Sequence, residues 1–169
     1  MRQSAVCFLA ALVAGCASFD GSGLVPGKST ESEVRALMGA PSQTLELPGG
    51  QKALYFSRLP EGRMMFVATL DTDGILRTLD QRLTRQNIGW LVAGTSTKQD
   101  VLGFYGPPGN VGRYPRLERE WWEYKFFDYQ DRRILTVQFS PDGILREVLD
   151  MRDWAFEPPG LGRSGRGHH

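Results

Sequence analysis

Few side chains in this 169-residue chain are equipped for covalent or acid–base chemistry. There are two cysteines, Cys7 and Cys16, and two histidines, His168 and His169. The histidines end a run of Pro, Gly, Arg and Ser, from residue 154 to 169, that has no apolar period and is expected to be disordered. Histidine catalysis and histidine metal ligation are thereby excluded from the folded body. Carboxylates remain. Glu118 and Glu120 have a spacing that hydrolytic acid–base work could use, but they stand in an Arg-laced stretch, Arg113 to Glu120, that reads as a solvated hairpin loop. Asp71, Asp73 and Asp142 lack the further oxygen ligands and the distant Glu of a calcium loop, and hairpin turns account for them. Gly27-Lys28-Ser29-Thr30 imitates the end of a phosphate-binding loop, yet the position five residues before Gly27 is Ser22, where that pattern needs Gly. No catalytic residue, metal or cofactor is expected, and the chain reads as a non-enzyme.

Cys16 carries different chemistry. Arg2 supplies a positive start, Ala5 to Val13 form a nine-residue apolar core, and the segment closes on small residues at Gly15 and Cys16, as a secretion signal does. Nine apolar residues are too few for a bilayer core that needs about 20. Leu12-Val13-Ala14-Gly15-Cys16 resembles the bacterial lipobox, which implies alkylation of the Cys16 sulfur by diacylglyceryl, cleavage between Gly15 and Cys16, and a third acyl chain on the new amine. Two chains already anchor stably, at about 0.8 kcal/mol per buried methylene. Ala17, where Asp would retain a lipoprotein in the inner membrane, points to the outer membrane and its periplasmic face. Cys7 leaves with the signal and Cys16 is consumed by lipid, so no disulfide or thiol nucleophile is expected. Losing Arg2 balances 19 basic against 19 acidic residues, which gives no support to nucleic acid as a partner.

The body of the chain repeats. A shift of 67 residues aligns Leu24 to Pro41 with Leu91 to Pro108 at eight identities in 18, where about one is expected by chance. Asp73-Gly74-Ile75-Leu76-Arg77 recurs as Asp142-Gly143-Ile144-Leu145-Arg146, at a shift of 69. The implied organisation is a signal at 1–15, a lipidated tether at 16–23, units at 24–83 and 84–153, and the tail. Thr30 with Glu33, and Thr97 with Asp100, have capping-box spacing ahead of helical apolar periods. Gly39 and Gly106 suit left-handed helix ends, followed by Pro41 and Pro108. Thr84 to Val92 suggests one more short helix. Strand-like runs follow each capped helix: Gln43–Leu47, Ala53–Arg58, Met64–Leu70 and Ile75–Leu83, then Asn110–Tyr114, Trp121–Phe127, Ile134–Phe139 and Ile144–Asp150. This order predicts an α+β fold of two tandem units, helices followed by antiparallel strands, with the helices packed on one face of a curved sheet.

Gly-x-Ser/Thr-x-x-x-Val-x-x-x-x-Gly-x-Pro, then an aromatic strand such as Trp122-Glu123-Tyr124, then a strand with Asp-Gly, resembles the BamE (SmpA/OmlA) family of outer-membrane lipoproteins, twice over. The tandem form also resembles β-lactamase inhibitory protein. What the resemblance implies is a non-enzymatic accessory of outer-membrane β-barrel assembly or envelope maintenance, working through protein and lipid contacts. The alternatives are a binder or inhibitor of another periplasmic protein and a carboxylate-dependent hydrolase.

Strand alternation nominates the contact residues. Aligning Tyr124 with Tyr55 places Trp122, Tyr124, Phe126, Leu135, Val137 and Phe139, with Phe66, Ala68 and Leu70, under the helices. Trp121, Glu123, Lys125, Phe127 and Ile134, with Thr136, Gln138, Met65, Val67 and Thr69, then face away. That mixture of aromatic, aliphatic and charged groups has the make-up of an interface. Arg113 and Arg116, in a loop longer and more charged than Glu46 to Lys52, join the candidates.

Overall fold

The computed structural model describes residues 19–156. The signal, the Gly15–Cys16 cleavage site, the lipidated cysteine and residues 157–169 of the tail lie outside the described residues. No helix among the described residues is long and apolar enough to cross a membrane.

The chain runs α1 (Glu31–Met38), β1 (Gln43–Glu46), β2 (Lys52–Ser57), β3 (Met65–Leu70), β4 (Leu76–Gln81), α2 (Arg85–Ile88), α3 (Lys98–Tyr105), β5 (Asn110–Tyr114), β6 (Arg119–Asp128), β7 (Asp131–Phe139) and β8 (Leu145–Arg152). The strands form two antiparallel four-stranded sheets, each in sequence order, β1-β2-β3-β4 and β5-β6-β7-β8. The expected α+β body with helices on one face of a curved sheet is therefore corrected to a β-rich fold of two separate sheets. The physical reason is length. The helices have eight, four and eight residues, stopped early by their glycines, while β6, β7 and β8 have ten, nine and eight. Helices of two turns leave most of the ordered backbone in the strands. Trp154–Phe156, assigned to the tail from sequence, form a 3-10 turn.

The two repeated sequence blocks are the two sides of one contact. Gly27 N–H donates to Leu76 O at 2.7 Å and Leu76 N–H to Ser29 O at 2.8 Å; Gly94 and Leu145, and Leu145 and Ser96, do the same at 2.7 and 2.8 Å. Both capping boxes are closed, Thr30 with Glu33 and Thr97 with Asp100. The donors and acceptors that imitated a phosphate loop are thus spent on the fold: Ser29 Oγ accepts from Val25 N–H, as Ser96 Oγ does from Val92 N–H.

The core is layered. One side of the first sheet packs Leu54, Phe56, Ala68 and Leu70 against Val34 and Met38 of α1. Its other side, Ala53, Tyr55, Met65 and Val67, belongs to a second cluster with Val101 and Tyr105 of α3 and Tyr124, Phe126, Leu135, Val137 and Phe139 of the second sheet. α3 is held between the two sheets. Tyr55 donates its hydroxyl to Gly103 O, and Tyr124 donates to Gly106 O at 3.0 Å. Gly106 brings the helix end against the first sheet, where a Cβ would come within 2.7 Å of the Tyr55 ring. Each of these tyrosines is pushed above the ordinary phenol range by burial, Tyr55 with a small opposing effect from Arg82.

Candidate functional site

This stacking decides which surface is left open. α1 covers the outer side of the first sheet and α3 fills the space between the sheets, so among the described residues the side left without a helix is the outer side of the second sheet. The strand register makes its members explicit. Trp121 pairs with Gln138, Glu123 with Thr136, Lys125 with Ile134 and Phe127 with Arg132. Side chains directly opposite in a ladder share a face, so Trp121, Glu123, Lys125, Phe127 and Ile134 stand together, as the alternation predicted.

The equivalent surface of the first sheet corrects the sequence reading. Met65 and Val67, expected to face away with these residues, are 0% and 1% exposed, packed in the cluster that contains α3. The alignment of Tyr55 with Tyr124 is also corrected. Phe56 pairs with Phe66 as Tyr124 pairs with Leu135, so Phe56 is the counterpart of Tyr124, and Tyr55 is the counterpart of Glu123. Ala53, Tyr55 and Val67, which receive α3, are replaced on the open face by Trp121, Glu123 and Thr136.

The open face is ordered by its own contacts. The Trp121 indole lies over Gly112, where a Cβ would meet the ring at 2.3 Å, and its centroid is 6.2 Å from that of Tyr114. Glu123 accepts from Asn110 Nδ2 at 2.9 Å. Arg119 donates to Gln138 and Glu147 at 3.2 and 2.9 Å. Gln138 and Thr136, on the central strand β7, are buried among their neighbours on this face. Phe127, at 42% exposed, is the most open of the candidate aromatics and lies 5.7 Å below the Arg63 guanidinium. An aromatic fixed in place over a glycine, flanked by charges of both signs, suits contact with a partner surface.

Arg113 and Arg116 are not brought to this face. Arg113 pairs with Glu120 and shares its side of the sheet, while Arg116 sits in the exposed 3-10 turn Pro115–Leu117. Glu118 and Glu120 are not a catalytic pair in the geometry found. Glu120 accepts from Lys98 Nζ at 2.9 Å and Trp122 Nε1 at 2.6 Å. The Lys98 hydrogen bond, against a smaller effect of burial and with help from Trp122, holds Glu120 below the ordinary carboxylate range. A group so held is a poor proton donor near neutrality. Asp71 is likewise spent, accepting from the Ile75 and Asp73 N–H groups and pairing with Arg77.

One feature escaped the sequence. Where the β2–β3 hairpin meets the ends of β6 and β7 there is a cleft of about 660 Å³, with Arg58, Arg63, Lys125 and Arg132 in its lining. Arg63 is 6% exposed and forms an ion pair with Asp153, 90 residues away. Burial alone would raise the Asp153 carboxyl, but the Arg63 and Ala155 hydrogen bonds and the charges of Arg63 and Lys125 outweigh it and hold it below the ordinary range. The only sequence signal was the basic residues flanking the hairpin turns, and nothing in the chain order says that the two hairpins meet.

No family model and no curated protein matches the chain. Among solved structures, a DUF4309 family protein (YjgB) from Bacillus subtilis is similar at 18% identity and a TM-score of 0.31, over 78% of this chain and 84% of that one. A likeness that loose carries no functional argument.

Proposed function

We propose that the chain is a lipid-anchored interaction protein of the outer membrane, facing the periplasm, that engages a protein partner through the open face of its second sheet as an accessory of β-barrel assembly or envelope maintenance. The observation that carries the docking part is the contrast between the two sheets. The first sheet uses this same side to receive α3, whereas on the second sheet Trp121, Glu123 and Ile134 stand on that side with no helix of the described residues in their place, and the β2–β3 hairpin reaches only the end that carries Lys125 and Phe127. The anchor rests on the signal grammar ending at Cys16, and the setting in the envelope rests on that anchor and on the BamE-like motifs. The reading calls for no bound cofactor and no nucleic acid.

Photocrosslinking in intact cells tests it. A photoreactive residue at position 121 or 127 is expected to yield an adduct with an envelope protein, and one at position 36, on the exposed side of α1, is expected to yield none. Adducts from position 36 alone would reject the docking face.

A further inference from the structure

We infer that strand β5, at the edge of the second sheet, is where two copies of the chain pair, antiparallel and about a two-fold axis at Gly112. β5 ends its sheet, bonded to β6 on one side and to no strand on the other. An edge strand presents a row of unpaired N–H and C=O groups, which proteins blunt with charges, irregularities or a covering segment. The opposite edges of the two sheets are blunted in that way. Leu76 of β4 is bonded to Gly27 and Ser29, and Leu145 of β8 to Gly94 and Ser96. Both strands have a register shift beside that point, and Arg133 Nη2 donates to Asp150 O in β8 at 3.1 Å. β5 has none of these: its register with β6 is unbroken from Asn110 to Tyr114, and among the described residues no segment other than β6 bonds to its backbone. Its side chains also differ from those of its counterpart. β1 exposes Thr44 and Glu46 and packs Leu45 against the core, whereas β5 leaves Val111 and Tyr114 exposed, at 57% and 41%.

The occupant that fits this edge is the same strand. Pairing about Gly112 overlaps all five residues, setting Val111 opposite Arg113 of the second copy and Asn110 opposite its Tyr114. Residues directly opposite share a face, so unlike side chains meet and no charge faces its like. Moving the axis one residue either way cuts the overlap to three residues, and an axis at Arg113 would set two guanidiniums against each other. At the axis itself Gly112 has no side chain to meet its own copy. The Trp121 indole lies over it, with the Tyr114 ring 6.2 Å away, so these two aromatics from each copy cover the seam on the open side. Pro108 and Pro115 bound the paired segment.

The product is one eight-stranded sheet in which the open faces of the two copies adjoin, with Phe127 at the far end of β6 left clear of the seam. Two strands of five residues bury less than the roughly 1,000 Å² that a stable interface clears, so the dimer is weak and reversible, with a Kd on the order of 0.1 mM.

Sedimentation equilibrium between about 1 μM and 1 mM tests it. The chain from residue 16 is used with Cys16→Ser, so that neither lipid nor a disulfide joins the copies. Val111→Lys places two like-charge pairs across the axis and Val111→Glu two opposite-charge pairs. The first should weaken dimerisation by about two- to thirtyfold and the second strengthen it by a similar factor. Val111→Lys with Arg113→Glu reverses the sense of each pair and should restore the dimer. Val111 is exposed, so the melting temperature of each single variant should stay near that of the parent. The inference is overturned if the parent stays monomeric to 1 mM, if Val111→Lys and Val111→Glu shift the equilibrium in the same direction or not at all, or if the charge-swapped variant pairs as weakly as Val111→Lys. Neither the anchor nor the docking face enters this measurement, so those readings stand or fall apart from it.

Discussion

Gly106→Ala is the most direct test of how the two sheets are joined. Gly106 ends α3 at φ 74° and ψ −166°, and Gly39 ends α1 at φ 90° and ψ −162°. These are not the left-handed helical angles anticipated for the two glycines; they lie in the mirror-extended region that only glycine occupies readily. A side chain there costs about 1–3 kcal/mol at either site. The surroundings then separate the two positions. A Cβ on Gly39 meets nothing within 4 Å, whereas one on Gly106 would lie 2.7 Å from Tyr55 Cδ1 and 3.2 Å from Met65 Cε. Tyr55 is fully buried and tied to Gly103, so the neighbour cannot swing aside, and overpacking adds about 1–3 kcal/mol. Urea unfolding of the unlipidated chain should show Gly39→Ala destabilised by the backbone contribution alone and Gly106→Ala by roughly 2–6 kcal/mol in total. Equal losses at the two sites would refute the packing of α3 against the first sheet, and with it the argument that only the second sheet has an open face.

Removing one partner of the buried Arg63–Asp153 pair, as in Asp153→Asn, should cost about 3–5 kcal/mol in equilibrium unfolding, because the guanidinium is left buried without its counter-charge. Since the Asp153 carboxyl is held below its ordinary value, about 3.9 for a free Asp, its contribution is complete above that value and is lost as pH falls through the lowered one. The Asn variant should therefore lose less stability than the parent on acidification below about pH 4. Cys16→Ser leaves no thiolate for lipid transfer and should be found unprocessed or soluble on membrane fractionation; unchanged partitioning into the membrane would remove the lipoprotein reading. Trp121→Ala with Phe127→Ala should keep the melting temperature near that of the parent and weaken partner capture by about thirtyfold, whereas Tyr124→Ala, truncating a core aromatic, should cost about 3–5 kcal/mol of stability. A collapse in melting temperature for the first pair would show the open face to be structural.

The local elements were legible because their causes are local. A hydroxyl three residues before a carboxylate closes a capping box wherever the chain runs, and both boxes form. An Asp-Gly pair supplies the positive φ of a hairpin, and Gly74 and Gly143 adopt 75° and 79°. Strand alternation on β6 and β7 likewise separated Tyr124, Phe126 and Leu135 from Trp121, Lys125 and Ile134. The junction was not legible. Arg63 meets Asp153 and Tyr55 meets Gly103 across 90 and 48 residues, and neither sequence neighbourhood carries a mark of the other.

The error about the first sheet has a narrower cause. The shift between the two copies grows from 67 at the helices and β1–β5 to 68 at β2–β6 and 69 at β3–β7, as Gln43 with Asn110, Phe56 with Tyr124 and Phe66 with Leu135 show. The second copy therefore gains one residue in each of two successive hairpin connections. Matching Tyr55 to Tyr124 placed both insertions before β2, a slip of one residue in that strand, and a slip of one moves every side chain to the other face. Two identical tyrosines made the wrong match attractive, while the composition of the strand could not correct it, because Ala53, Leu54, Tyr55 and Phe56 are all buried. A strand buried on both sides has no polar alternation to set its register. That loss of alternation was itself the available sign that something covers the first sheet on both faces, and the mixed face of β6, with Glu123 and Lys125 between Trp121 and Phe127, was the sign that, among the described residues, a helix packs on one face of the second sheet and not on the other.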